Sequence, residues 1–196
     1  MSISAQALLV SRHQPFHQRP DQFATALVAT PLVSLEPARL KNLDASMLEL
    51  EDVRKFLSSE TGLATISTVQ NDGRVLSSIA NCGIISHPLT NEGCVALVSM
   101  GKAARLRHVR RGSEMTVAVR RGWNWVAVTG KADLIGPDDQ AAGIDDEKLR
   151  LLLREIYEAA GGKHADFEEY DREMVRSRRA AVLVVPARII GNLPNA

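Results

Sequence analysis

Ser99-Met100-Gly101-Lys102-Ala103-Ala104-Arg105-Leu106-Arg107-His108 places a hydroxyl and two cations, Lys102 and Arg105, at a turn that enters a helical pattern. A hydroxyl, free backbone N–H groups and paired cations at a helix start suit a phosphate. The surrounding stretch, Leu63 to Ile135, holds no obvious protein nucleophile and no cluster of metal ligands. Any redox chemistry there would have to come from a bound cofactor.

Other chemistries find little support. There is no GxGxxG and no GxxxxGK[ST], so neither a Rossmann nor a P-loop nucleotide site has a local basis. Residue content permits Ser-His-Asp catalysis, but no GxSxG elbow occurs. His87, His108 and His164 lack ligand spacing, which argues against a metal. The acidic run Asp166-Phe167-Glu168-Glu169-Tyr170-Asp171 reads as a solvated helix face. The basic run Lys102 to Arg111 lacks the interleaved aromatics of a nucleic-acid surface.

The elements that must hold the Ser99 turn can be read from periodicity. Leu50, Val53, Phe56 and Leu57 mark a short amphipathic helix. Leu63 to Gln70 alternates as a strand, Asn71-Asp72-Gly73 is a hairpin turn, and a long return strand runs from Arg74 to Ile85 with a bulge allowed at Gly83. Ser86 to Gly93 is a loop expected to wall the pocket. Cys94 to Met100 is nearly all apolar, as in a strand buried on both faces. A helix over Lys102–Arg110, a strand over Met115–Arg120 and a strand over Trp123–Ile135, interrupted at Gly130, follow. Asp146–Ala160 and Phe167–Arg178 read as helices, and Ala180–Val185 as a last strand before Pro186. Several antiparallel strands broken by short helices imply a mainly β fold, a small β-barrel with α decorations.

The 196 residues carry a net charge of +1, with 45% hydrophobic and 24% charged residues. That balance offers no global field for nucleic acid or an anionic membrane. No apolar run approaches the roughly 20 residues of a membrane span. Cys82 and Cys94 fit two reduced thiols better than a disulfide, and the cytoplasm is the expected compartment. Residues 1–46 contain Pro15, Pro20, Pro31 and Pro37, with no acidic residue before Asp21. They are expected to form a flexible extension, or the product of an upstream start, ahead of a folded domain over 47–196.

Three stretches, taken in order, carry a resemblance. They are Leu63 to Arg74 (LATISTVxxDGR), the Ser99–His108 turn, and Trp125 to Ile135 (WVAVTGKADLI). Together they resemble the pyridoxamine-5'-phosphate-oxidase-like split β-barrel superfamily, which binds FMN or the deazaflavin coenzyme F-420. Tyr157-x-x-x-Gly161-x-x-His164-x-Asp166-x-x-x-Tyr170, Arg179 and Val185-Pro186-Ala187-Arg188-Ile189-Ile190-Gly191 look more like the actinobacterial deazaflavin-dependent branch. The family usually has Lys and Asn where this chain has Arg105 and His108. Arg keeps the charge and improves bidentate phosphate contact.

The resemblance implies an oxidoreductase that passes a hydride between reduced coenzyme F-420 and a small conjugated organic substrate. FMN chemistry on the same barrel, or a non-catalytic flavin carrier, are the alternatives. Ser99, Met100, Gly101, Lys102, Arg105 and His108 would hold the phosphate end, and Ser77, Ser78 and Asn81 the ring edge. No residue of the chain is required as an essential base. A homodimer with the cofactor between subunits is also implied. Trp123 and Trp125 fit either a partner surface or ordinary hairpin packing.

Overall fold

The computed structural model describes residues 48–58 and 62–193. The expected extension over 1–46 and its boundary lie outside the described residues.

Hydrophobic periodicity resolves into four helices and nine strands among the described residues. Helix α1 (Leu50–Leu57) opens with the Asp52 carboxylate accepting the Glu49 N–H at 3.0 Å and buries Val53, Phe56 and Leu57. Strands β1 (Leu63–Val69) and β2 (Val75–Asn81) form the expected hairpin. Gly73, at φ 80°, takes the left-handed position of its three-residue loop, and the Gln70 N–H donates to the Arg74 carbonyl at 2.8 Å. Next come β3 (Gly83–Ser86), β4 (Gly93–Ser99), α2 (Ala104–Arg110), β5 (Met115–Arg121), β6 (Asn124–Gly130) and β7 (Ala132–Ile135). Helices α3 (Asp146–Ala159) and α4 (Phe167–Arg176) precede β8 (Ala180–Val184) and β9 (Arg188–Asn192).

All pairings are antiparallel. They form a five-stranded sheet ordered β2-β1-β5-β6-β9 and a four-stranded sheet ordered β3-β4-β8-β7. The mainly β expectation with helical decoration therefore holds, but the ladders do not close into a barrel. The chain instead crosses between sheets at corners. The single return strand expected over 74–85 divides after Cys82: its N–H makes the last rung of the β1–β2 register, to the Gly62 carbonyl at 2.8 Å, and from Gly83 the chain pairs with β4 instead. A second corner at Lys131 separates β6 from β7. There the Val185 N–H donates to the Lys131 carbonyl (3.0 Å) and the Ala187 N–H to the Thr129 carbonyl (2.9 Å), carrying β8 on into β9. Strand β9 is an addition to the sequence reading, which ended strand structure at Val185. It is a short edge strand whose sequence carries almost no apolar alternation.

The two sheets share one core, with Ile66, Val117 and Val126 from the first packed with Leu97, Val182 and Val184 from the second. A second cluster, including Leu152, Leu153 and Ile156, seats α3 on the outer face of the four-stranded sheet. Strand β8 is consequently buried along its whole length. Among the described residues the outer face of the five-stranded sheet has no such cover: Leu63, Val75 and Ile79 are 59%, 63% and 58% exposed. Cys82 and Cys94 are free, buried thiols, both pushed up to about 12 by burial. No described helix is long and apolar enough to cross a membrane.

The Ser86–Gly93 loop, expected as a pocket wall, is not among the residues lining the main cleft. It is pinned by His87, whose Nδ1 accepts the N–H groups of Leu89 (3.2 Å) and Thr90 (3.3 Å) while Nε2 faces the Asp133 carboxylate at 3.3 Å.

A candidate cofactor cleft

Strand β4 ends at Ser99, and the chain turns at Met100–Ala103 into α2. Ser99 is only 2% exposed, and its Oγ has no hydrogen-bond partner. Arg105, in the first turn of α2, is half-buried, and its Nη1 is likewise buried without a partner. Burial without a carboxylate beside it pushes the Arg105 guanidinium below its ordinary value. Buried polar atoms are normally paired, because leaving one unpaired costs about 1–3 kcal/mol. Two orphans on one surface therefore point to a ligand that pairs them.

That surface is a cleft of about 600 Å³, in the range of small-molecule and cofactor sites. Ile79 and Asn81 of β2 form one wall, and Val98, Ser99, Met100, Ala103 and Arg105 a second. The third wall comes from the end of α3, from α4 and from Arg179.

The third wall is built with care at the level of side chains. Asp166 caps α4 by accepting the N–H groups of Glu168 (2.9 Å) and Glu169 (3.1 Å), and these bonds hold its carboxyl below its ordinary value. Asp171 accepts from Arg154 Nε at 2.9 Å, from Arg154 Nη2, and from Arg150 Nη1 at 3.0 Å, which fastens α4 to α3. The acidic run is thus partly structural: Glu168 and Glu169 are solvated, while Asp166 and Asp171 are engaged. The Tyr170 hydroxyl donates to the Leu153 carbonyl and the Tyr157 hydroxyl to the Lys163 carbonyl, both at 3.0 Å. The ring centroids lie 4.8 Å apart. With both hydroxyls fastened to backbone, these tyrosines offer the cleft ring surface rather than a proton. Burial above all keeps the Tyr170 phenol protonated, pushed up to about 12. Gly162 packs beneath the Tyr157 ring, and a Cβ there would fall 2.5 Å from ring carbons.

Of the nine residues expected from sequence, the structure brings Asn81, Ser99, Met100 and Arg105 to the cleft. The other five do not line it. Ser77 is exposed and shares a hydrogen bond with Ser67, Oγ to Oγ at 2.9 Å, while Ser78 sits on the opposite face of β2, across from Ile66. Lys102 is exposed. Gly101 passes against the Arg178 carbonyl so closely that a Cβ would collide with it. His108 lies in the core, its Nδ1 2.8 Å from Thr68 Oγ1. Its imidazole is held below the ordinary 6.5, first by burial and then by Arg111 and Arg107. Arg110, also in the basic run, pairs with Asp139 at 2.6 Å. Sequence reading missed Ile79, Tyr157, Tyr170, Met174 and Arg179 as site residues. The only signal for them was the Tyr157–Tyr170 spacing with Arg179, which carried the family resemblance.

No family model matches the chain. Among solved structures it is similar to the conserved hypothetical protein Rv2991 from Mycobacterium tuberculosis. The identity is 15%, over 76% of this chain and 91% of that one, with a TM-score of 0.55. It is also similar to an F420 reductase (13% identity, 69% and 94% of the two chains, TM-score 0.47). A third is a candidate pyridoxamine 5'-phosphate oxidase from Lactobacillus delbrueckii (15% identity, 76% and 97%, TM-score 0.46). At such identities the likeness to Rv2991 is one of fold.

Proposed function

We propose that the cleft binds a phosphate-bearing flavin or deazaflavin, and that the protein is an oxidoreductase passing a hydride between reduced coenzyme F-420 and a small conjugated organic substrate. The observation that carries this reading is the pair of buried, unpartnered polar atoms, Ser99 Oγ and Arg105 Nη1, on a cleft that also presents the Tyr157 and Tyr170 rings and aliphatic side chains. An anionic group fits the first feature and a planar ring system the second. Arg105 would take the anion in a charge-assisted, bidentate manner, and Ser99 would complete it. The faces of Tyr157 and Tyr170, with Met174, would lie against the ring and keep water from it.

When bound, such a cofactor supplies the carbon that gives or takes the hydride. The chain's part is to bind, orient and exclude water, and no side chain is asked to act as a base. The helix start contributes less than sequence suggested. Helix α2 has only seven residues and no side-chain cap, so the anion site rests on Ser99 and Arg105 themselves.

FMN in the same cleft is the second reading, because the two orphaned groups recognise an anionic oxygen whichever ring carries it. Equilibrium binding of coenzyme F-420 and FMN to the purified chain, side by side, separates the two. Micromolar or tighter binding of coenzyme F-420 is expected. Binding of FMN alone would shift the assignment to a flavin enzyme, and binding of neither would reject the cofactor reading. Oxidation of bound, reduced cofactor by a conjugated acceptor distinguishes an enzyme from a carrier.

A homodimer is part of the same proposal. Support comes from the outer face of the five-stranded sheet, which no described element covers, where Leu63, Val75 and Ile79 stand exposed and Ile79 also borders the cleft.

A further inference from the structure

We propose that Arg179 is a second arm of the anion subsite, so that the ligand presents a doubly negative end, either a phosphomonoester or two adjacent monoanions, between Arg179 and Arg105 beside Ser99. This rests on the cofactor reading above and specifies the ligand chemistry it requires.

Register places the residue. Ser99 pairs with Ala180 at the end of the β4–β8 ladder, so Arg179 enters β8 beside the Ser99–Met100 step. The bare backbone of Gly101 lets the Arg178 carbonyl come into contact there, and any side chain at 101 would push that segment away. The Arg179 guanidinium is anchored at one nitrogen only, with Nε donating to Ser177 Oγ at 2.9 Å. Ser177 Oγ in turn donates to the Glu173 carbonyl at 2.8 Å.

Neither arginine that lines the cleft has a carboxylate partner among the described residues. Elsewhere Arg110 pairs with Asp139, Arg178 with Asp138, Arg176 with Glu173, and Arg150 and Arg154 with Asp171. Arg105 and Arg179 make no ion pair with any described residue, and no acidic side chain lines the cleft. Two uncompensated guanidinium groups and a buried hydroxyl leave about two positive charges to be neutralised within one cleft. A single monoanion would leave one of them unmatched in a partly desolvated site, which is unfavourable.

The test uses full-length wild type, Arg179→Gln, Arg179→Lys, Arg105→Gln and Arg178→Gln, with binding read by calorimetry or ligand fluorescence and folding checked by melting temperature. Probes are coenzyme F-420, the same deazaflavin without its phosphate-bearing tail, FMN, riboflavin, phenyl phosphate and phenyl sulfate at pH 8, where phenyl phosphate carries about two charges and phenyl sulfate one. Arg179→Gln is expected to weaken the cofactor that binds by about tenfold to hundredfold. It should also abolish the wild-type preference for phenyl phosphate over phenyl sulfate. Arg179→Lys should restore part of the affinity, and Arg178→Gln should stay within about twofold of wild type. FMN binding far more tightly than riboflavin identifies a phosphomonoester, and coenzyme F-420 binding far more tightly than the same deazaflavin without its phosphate-bearing tail identifies two adjacent monoanions.

Equal binding by Arg179→Gln and wild type, with Arg105→Gln weakened, overturns the second arm and leaves the cofactor reading standing. Equal affinity of wild type for phenyl phosphate and phenyl sulfate, or for FMN and riboflavin where FMN is the cofactor bound, also overturns it. Wild type that binds none of the probes overturns both.

Discussion

Ser99 and Arg105 carry a cost in the folded chain, since a buried hydroxyl and a partly buried guanidinium nitrogen have no hydrogen-bond partner among the described residues. Arg105→Ala should therefore leave the melting temperature of the free protein unchanged or slightly raised. It should weaken cofactor binding by about tenfold to hundredfold, the worth of one or two charge-assisted hydrogen bonds. Arg107→Ala, on the exposed side of the same helix, controls for loss of charge. Equal effects from both substitutions, or none from either, would remove Arg105 from the site. His108 belongs to the same helix but to the core. Its folded value lies below 6.5, so the neutral ring's contribution is complete above pH 6.5 and is lost as pH falls through the folded value. An NMR titration of the His108 ring should show a midpoint below 6.5. A midpoint at or above 6.5 would contradict its burial against Thr68.

Helix α4 depends at the level of elements on one carboxylate. It fully buries only Tyr170, with Met174 packed against the α3 cluster, and Asp171 adds ion pairs to Arg150 and Arg154. Asp171→Asn should raise amide exchange across 167–176 and weaken cofactor binding several-fold, while exchange in β4 and β8 stays slow. Unchanged exchange would show that Tyr170 packing alone suffices. The hydrogen bond from Arg154 is the main cause that holds the Asp171 carboxyl below its ordinary 3.8. Its stabilising contribution is therefore full above pH 3.8 and lost as pH falls through its lower folded value. The same substitution should flatten that acid limb of the stability curve.

The molecule as a whole is asymmetric in its cover. Among the described residues, one sheet is packed on both faces and the other on only one, leaving exposed aliphatic residues on β1 and β2. If a second copy covers that face, Val75→Glu should convert the dimer to a single-chain mass in analytical ultracentrifugation without loss of fold. A single-chain mass for wild type at high micromolar concentration would reject the dimer. Trp123, 94% exposed at the tip of the β5–β6 hairpin, is not packed within its own chain, whereas Trp125 is half-buried on β6.

Local order was written in the chain. Alternation at Leu63–Val69, the Asn71-Asp72-Gly73 turn and the leucine stripe of α3 each specify an element from neighbours in sequence, and each stands within a few residues of its expected bounds. So does the hydroxyl-and-cation turn, of which Ser99 and Arg105 reach the cleft. Tertiary structure decided what depends on contacts between distant segments. The long return strand is divided in two because Gly83–Ser86 pairs with β4 rather than with β1. Arg179 reaches Ser99 through an antiparallel register formed across about eighty residues, and Tyr157 and Tyr170 reach the cleft because Asp171 ties two helices together. His108 and Lys102, equal candidates by type and spacing, are separated by three-dimensional burial alone, one drawn into the core and the other left in water. Residue type and spacing set which groups can bind an anion, and only the packing of remote segments sets which of them face the same space.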